Sequence, residues 1–435
     1  MAMGTVGTIV TVILGISFMV FVAFFGRLPT FRHTPIAWLH RLFLVHLPGG
    51  VLALDRGLTG GRLSRSLRRF GSFMMNDKHP TVLIFFVLLL GVSEWLAVPT
   101  AWRLMGGLQR ATLAVLAVLP YVFLWLAAFS DPGTVSLGVL RVQLLAYPYD
   151  YALFYPGMRC RTCNLLKPPR SKHCSVCKRC IARLDHHCIF INNCVGAGNQ
   201  HWFLLLLLNT ALLTSFGGLV GAGLIAGRTA RQFPSWSVLP WRARHVAGDG
   251  RPMDLQDWLL LWSWGMRDLV QLGSVSLLAL LLSPLVWGLL AYNVWNVATG
   301  QTTNESLKWA DWRDDMAAGL VYRRRLSRER GNQGNRDGVP VSLADTASLT
   351  RWPLEPEHVI ICADDDGKPP SASDPSLPGV GEWEQVWRLR DVENIYDIGV
   401  CRNFTDVFVP DYNFNTSGLP SVEARGRSRR RPMGK

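Results

Sequence analysis

Charge is scarce in this chain of 435 residues. Asp, Glu, Lys and Arg make up 17% of it, against about 25% for an average soluble domain. Hydrophobic residues reach 49% and collect in long runs, which favours a membrane-embedded bundle over several soluble cores. Cysteine is scarce too: nine in all, too few for a disulfide scaffold. Seven of them nevertheless fall between Cys160 and Cys194, a clustering that points to metal binding or thiol chemistry in a reducing compartment. No interval of twelve residues separates Cys pairs from His pairs, which argues against a nucleic-acid-binding finger. There is no internal repeat. The formal charge of +14 suits anionic lipid better than nucleic acid, given the apolar runs.

Five runs are long enough to span a bilayer: roughly 5–25, 80–102, 112–130, 202–226 and 269–298. The first lacks a basic leader and a small-residue cleavage site, so it reads as an uncleaved anchor. Residues 26–79 carry nine Lys and Arg, 131–201 nine, and the tail after 298 nineteen. The connections 103–111 and 227–268 carry two and six. The basic-side rule then places the three rich segments in the cytosol and the cysteines on the reducing side. Expected units are an anchor (1–25), a basic connection (26–79), a helix pair (80–131), the cysteine-rich module (132–201), a second pair with a lumenal loop at 227–268 (202–298), and a cytosolic tail (299–435). The fold expected is an all-α polytopic membrane protein of about five transmembrane helices, with a cytosolic zinc-binding module and a largely irregular tail. RRRLSRERGNQGNRDG and ADDDGKPPSASDPSLPG read as linkers with little to bury. The sequons at Asn304, Asn403 and Asn415 must stay bare in a cytosolic tail.

The module offers three Cys-x2-Cys steps and three histidines, His173, His186 and His187. Short turns of this kind bring two thiolates onto one tetrahedral zinc. RCRTCNLLKPPRSKHCSVCKRC has little apolar content for a core, and structural zinc supplies roughly 10–16 kcal/mol towards folding such a segment. Two tetrahedral sites need eight donors; ten candidates are present. If both are filled by three Cys and one His, one Cys and one His are spare. Neighbouring His186 and His187 do not easily serve one ion. A free Cys beside a His with its own carboxylate is a nucleophile, base and orienter. Asp185, His186 and Cys188 fit that pattern, and spacing alone leaves Cys194 and Cys180 as alternatives to Cys188.

The stretch Cys160–Phe203 resembles the DHHC family of protein S-acyltransferases. It does so through PPRSKHC (168–174), CSVCKRC (174–180), DHHC (185–188) and NNCVGAGNQHWF (192–203). DPG at 131–133, TTNE at 302–305 and NIYDIGVCRNF at 394–404 extend the likeness. The resemblance implies that Cys188 is acylated with His186 as base and Asp185 orienting it. It implies two structural Zn2+, one on Cys160, Cys163, His173 and Cys180, the other on Cys174, Cys177, His187 and Cys194. Palmitoyl-CoA is the implied donor, and transmembrane proteins with cytosolic cysteines are the implied acceptors. Thr302, Thr303 and Glu305 are expected to support the Asp185–Cys188 region, and Tyr396 and Asn403 to brace the tail. Ile189-Phe190 stands where many members have Pro-Trp. FYPGMRCRTC (154–163), with the extra N-terminal span, resembles a fungal branch of the endoplasmic reticulum membrane that acylates SNAREs. Lys167, Arg170 and Lys172 are candidates for CoA phosphates or lipid headgroups. Glu94, inside a span, is either functional or bonded to a neighbouring helix. Cys362 and Cys401 read as ordinary tail cysteines. A membrane-anchored zinc adaptor or ubiquitin ligase is the competing class, weakened because no Cys-x2-Cys pair follows Cys194.

Overall fold

The computed structural model describes residues 18–19, 22, 34–244, 253–326, 350–363, 367–371 and 377–414. The expected span 5–25 lies outside them apart from Phe18, Met19 and Val22. Most of the RRRLSRERGNQGNRDG linker, the basic terminal run and the Asn415 sequon lie outside them as well.

Two compact units divide the chain, residues 1–78 and 79–435. In the first, the segment expected as a connection contains two helices. Helix α1, Pro35–Thr59, is long and apolar enough to cross a membrane. Helix α2 follows as Arg62–Asn76 after Gly60 and Gly61, whose φ of 65° and 77° make a turn that suits glycine.

The second unit holds the other four candidate spans: α3 (Thr81–Leu104), α4 (Gly107–Phe129), α5 (Gln200–Gln232) and α7 (Val270–Ala298). An amphipathic helix α6, Leu255–Asp268, precedes α7. Small residues let α5 and α7 approach closely, as helices in lipid must do without a hydrophobic drive between them. A Cβ built on Gly221 would lie 1.9 Å from Ser276 Oγ and 3.0 Å from Ser276 Cβ. One on Gly218 would meet Leu280 at 2.8 Å. The hydroxyls of Ser215 and Ser283 bond across the same interface at 2.7 Å, and Trp287 Nε1 donates to Ser215 Oγ at 2.8 Å.

Between α4 and α5 run two short antiparallel hairpins, β1 (Lys172–Cys174) with β2 (Arg179–Ile181), and β3 (His186–Cys188) with β4 (Asn193–Val195). The second hairpin is fastened to the end of α4. Asn193 Nδ2 donates to the carbonyls of Ala127, Ala128 and Ser130, and Asn199 Nδ2 donates to Ala127 and Cys194. These amides satisfy carbonyls that a helix terminus leaves without partners. The tail adds helix α8 (Thr303–Ala317), an antiparallel sheet ordered β6-β5-β7 (His358–Cys362, Val321–Arg325, Val380–Gln385), and helix α9 (Val400–Phe408).

Gly221→Val overfills the α5–α7 crossing and is expected to cost about 1–3 kcal/mol, read as a lower thermal midpoint of the purified protein. Gly223→Ala meets nothing within 4 Å and is expected to leave the midpoint unchanged or slightly raised.

Candidate active site

Successive side chains on a strand point to opposite faces. On β1, His173 lies directly opposite Cys180 of β2, and the adjacent Cys174 turns the other way. On β3, His187 lies directly opposite Cys194 of β4. The donors thus sort into two groups: Cys160, Cys163, His173 and Cys180, and Cys174, Cys177, His187 and Cys194. Within each group the donor atoms lie within 4.8 Å of one another. The Cys-x2-Cys turns of both groups are built alike. Cys163 N–H donates to Cys160 Sγ at 3.4 Å and Cys177 N–H to Cys174 Sγ at 3.3 Å. Each turn is followed by a left-handed residue, Asn164 or Lys178.

Zinc–sulfur and zinc–nitrogen bonds of about 2.3 and 2.0 Å at tetrahedral angles imply S···N separations of about 3.5 Å. The sulfurs of the first group lie 3.5, 3.3 and 3.8 Å from His173 Nδ1. Those of the second lie 3.7, 3.4 and 3.6 Å from His187 Nδ1. Either group can hold a zinc ion with four protein donors and no open position.

The same pleat turns His186 and Cys188 away from the donor group that His187 faces. His186 Nδ1 lies 2.6 Å from Asp185 Oδ2, and the ring hydrogen-bonds to the Cys188 side chain. Burial alone would lower the imidazole pKa. The hydrogen bond to Asp185 and the contact with Cys188 outweigh it, raising the pKa to about 10. Burial pushes the Cys188 thiol up, yet His186 and the N–H groups of Ile191 and Phe190 hold it below the ordinary thiol value. The result favours a thiolate–imidazolium pair at neutral pH. Cys188 itself is buried with Leu124, Ile191, Phe203 and Leu290 at the head of the helix bundle.

Asp185 is gripped from the tail. Thr303 N–H donates to its Oδ1 at 2.6 Å, Thr303 Oγ1 to its Oδ2 at 3.0 Å, and Asn304 N–H to its backbone carbonyl. Although burial raises the Asp185 carboxyl, His186 and Thr303 bring it below the usual range. Thr303 starts α8, and Thr302 caps that helix through a reciprocal pair with Glu305. Glu305 in turn accepts from Arg170 Nε at 2.8 Å and Nη2 at 2.6 Å, with both side chains about 2% exposed or less. Arg170 also donates to the Gly300 carbonyl and lies 4.3 Å from the ring centre of Tyr396. Tyr396 hydroxyl donates to Pro148 O, and Asn403 Nδ2 to Ala298 O and Asp397 Oδ1. Thr302, Thr303, Glu305 and Tyr396 are therefore brought together around Arg170 and Asp185, while Asn403 ties α9 to the end of α7.

A cavity of about 430 Å3 opens among α3, α5 and α7. Its wall is almost wholly apolar and includes Phe86, Leu90, Leu213 and Leu272. Phe190, two residues from Cys188, also lines it and stacks edge-on against Phe86. Glu94 lies in the wall too, where Tyr121 hydroxyl donates to it at 2.9 Å, so the neighbouring-helix reading applies.

A model of the DHHC palmitoyltransferase family matches residues 154–310. Palmitoyltransferase SWF1 of Neurospora crassa is 51% identical over 99% of this chain and 100% of its own. The chain belongs to the DHHC palmitoyltransferases. It is similar also to palmitoyltransferase swf1 of Schizosaccharomyces pombe, at 34% over 68% of this chain and 78% of the relative. Mouse palmitoyltransferase ZDHHC4 is 31% identical over 58% and 72%. These relatives support the fungal SWF1 branch, and the chain is a protein S-palmitoyltransferase of the membrane.

One expectation for this palmitoyltransferase needs correction. Arg170, considered above for CoA phosphates, is 1% exposed and committed to Glu305. Lys172 is exposed but donates to Asn304 Oδ1 at 2.8 Å, again facing the tail. A second buried ion group went unnoticed in the sequence: Asp406 of α9 pairs with Arg183 at 3.1 Å and Arg351 at 2.6 Å and accepts from Tyr147 hydroxyl. Only the basic character of both segments hinted at it.

Glu305→Gln leaves the Arg170 charge buried without a counter-ion and is expected to cost roughly 3–5 kcal/mol. Arg170→Met combined with Glu305→Leu should cost much less than the sum of the single changes. Thermal unfolding of wild type, Glu305→Gln, the two single changes and the double variant, five proteins in all, checks both. At the site itself, the Cys188 alkylation rate is expected to stay high at neutral pH and fall as acid protonates the thiolate. His186→Ala should move that fall upward, towards the ordinary thiol range near 8.5.

Proposed function

We propose that palmitoyl transfer by this enzyme runs through an acyl-enzyme thioester on Cys188. The Cys188 thiolate attacks the carbonyl of palmitoyl-CoA, the C–S bond to CoA breaks, and the leaving CoA thiolate takes the proton of the His186 imidazolium, which leaves His186 neutral. A thiol of the protein substrate, deprotonated by His186, then attacks the new thioester and restores Cys188. One thioester replaces another, so the enzyme contributes positioning and thiolate activation. The observation that carries this reading is the sorting of sulfurs: Cys188 stands outside both four-donor groups and against His186, whose second nitrogen is held by Asp185.

Zinc on the two groups would supply folding free energy to a segment that has little core of its own. The apolar cavity beside Phe190 suits the palmitoyl chain, since burying each CH2 contributes about 0.8 kcal/mol. Acceptors follow from where Cys188 sits, at the head of a bundle of candidate spans: cysteines at the cytosolic ends of transmembrane segments. The endoplasmic reticulum membrane as location and SNARE-like proteins as acceptors rest on the family resemblance alone. In this orientation module and tail face the cytosol. Asn304 and Asn403 are 6% and 2% exposed, a second reason for their sequons to stay bare.

Incubation with an alkyne palmitate analogue as its CoA ester provides the test. Wild type should take up label that hydroxylamine removes, Cys188→Ser should take up none, and Asp185→Asn should label slowly while retaining zinc. Label that persists at wild-type level in Cys188→Ser would overturn the assignment.

A further inference from the structure

Helix α2 has no part in the transfer chemistry, and its two sides differ sharply. Leu63, Leu67, Phe70 and Met74 recur at i, i+4, i+7 and i+11 and so share one face. Leu63, Leu67 and Phe70 are 54%, 60% and 62% exposed, an apolar stripe turned outward, and Met74 at its end is half-buried. Arg62, Arg65, Arg68 and Arg69 fall on the other side, and the helix contains no acid.

We propose that α2 lies in the plane of the membrane surface, with its leucine–phenylalanine face in the acyl boundary and its arginines on anionic phospholipid headgroups. Charge complementarity selects that occupant, because a neutral surface would have no use for four arginines without one acid. Connectivity supports it. Two residues join α2 to α1, and Asp77–Pro80 join it to α3, a link of four residues that reaches at most about 14 Å. With α1 and α3 read as spans, α2 is tethered at the interface from both ends.

The elbow is fixed as well. Asp55, near the end of α1, accepts from Thr59 Oγ1, from Ser64 N–H at 2.9 Å and from Leu63 N–H at 3.3 Å. A carboxylate from one helix thereby closes the free amides at the start of the next. Arg65 Nη2 donates to Gly60 O at 3.0 Å across the same turn. Each basic residue held at an anionic surface favours partitioning by roughly fivefold, so several together give a strong composition dependence.

Hydrogen exchange of the full chain in nanodiscs tests this, comparing phosphatidylcholine alone with phosphatidylcholine carrying about 30 mol% phosphatidylserine. Amides of 62–76 are expected to exchange at least about tenfold more slowly on the anionic surface, and added salt should reverse the effect. Arg65→Gln/Arg68→Gln/Arg69→Gln should abolish the lipid dependence, and Leu67→Ser/Phe70→Ser should raise exchange on both surfaces. Both variants are expected to keep wild-type autoacylation, which reports that the rest of the chain is folded. Slow exchange that persists in detergent and ignores lipid composition would mean that protein covers the helix, and would overturn the proposal. Fast exchange on every surface would overturn it equally.

Discussion

The alternation of side chains along two three-residue strands decides the chemistry of this enzyme. Adjacent residues on a pleated strand cannot face the same ion. His173 and Cys174 therefore serve different donor groups, which interleaves the two sets. His187 faces one group, and for that reason alone His186 and Cys188 cannot. A one-residue slip of the β3–β4 register would exchange these roles. The hairpin resists slipping because Asn193 and Asn199 fasten it to carbonyls at the end of α4, and because His187 and Cys194 meet across the strands.

Asp185 links that hairpin to the tail. Its carboxylate accepts from His186 on one side and from the start of α8 on the other. Behind α8 stand Glu305, Arg170 and Tyr396, and α9 is joined to the module through Asp406, which pairs with Arg183 and accepts from Tyr147. Buried ion pairs of this kind add little net stability over apolar replacements, but they penalise any arrangement in which a partner is missing. They thereby tie the orientation of His186 to the docking of a segment more than a hundred residues away in sequence. A disturbed tail would reach the thiol through this route, by way of Thr303, Asp185 and His186.

Much of this was legible in the sequence, for identifiable reasons. Spans 80–102, 112–130, 202–226 and 269–298 were read from apolar length alone and correspond to α3, α4, α5 and α7 within a few residues. In lipid the helix is imposed by backbone hydrogen bonding, so composition suffices. Ten candidate donors for eight places announced a spare Cys and His, but spacing left Cys188, Cys194 and Cys180 open. Choosing among them requires strand register, which depends on pairing across the hairpin and is not written in local spacing. Arg170 read as a candidate for CoA phosphates or lipid headgroups because its partner lies 135 residues away. RRRLSRERGNQGNRDG reads as a linker, yet its first three residues belong to β5, the central strand of the tail sheet, once the neighbouring strands are in place. The helices of 26–79 were missed because arginines and glycines break up their apolar pattern when it is read as a linear run.

The catalytic role of residue 188 depends on its sulfur remaining free while the eight donors of the two groups are committed to metal. Zinc stoichiometry of purified wild type and Cys188→Ser, measured by elemental analysis, tests this most directly. The account predicts two zinc ions per chain in both proteins, one for each donor group. Loss of an ion in Cys188→Ser would place that sulfur on the metal and contradict it.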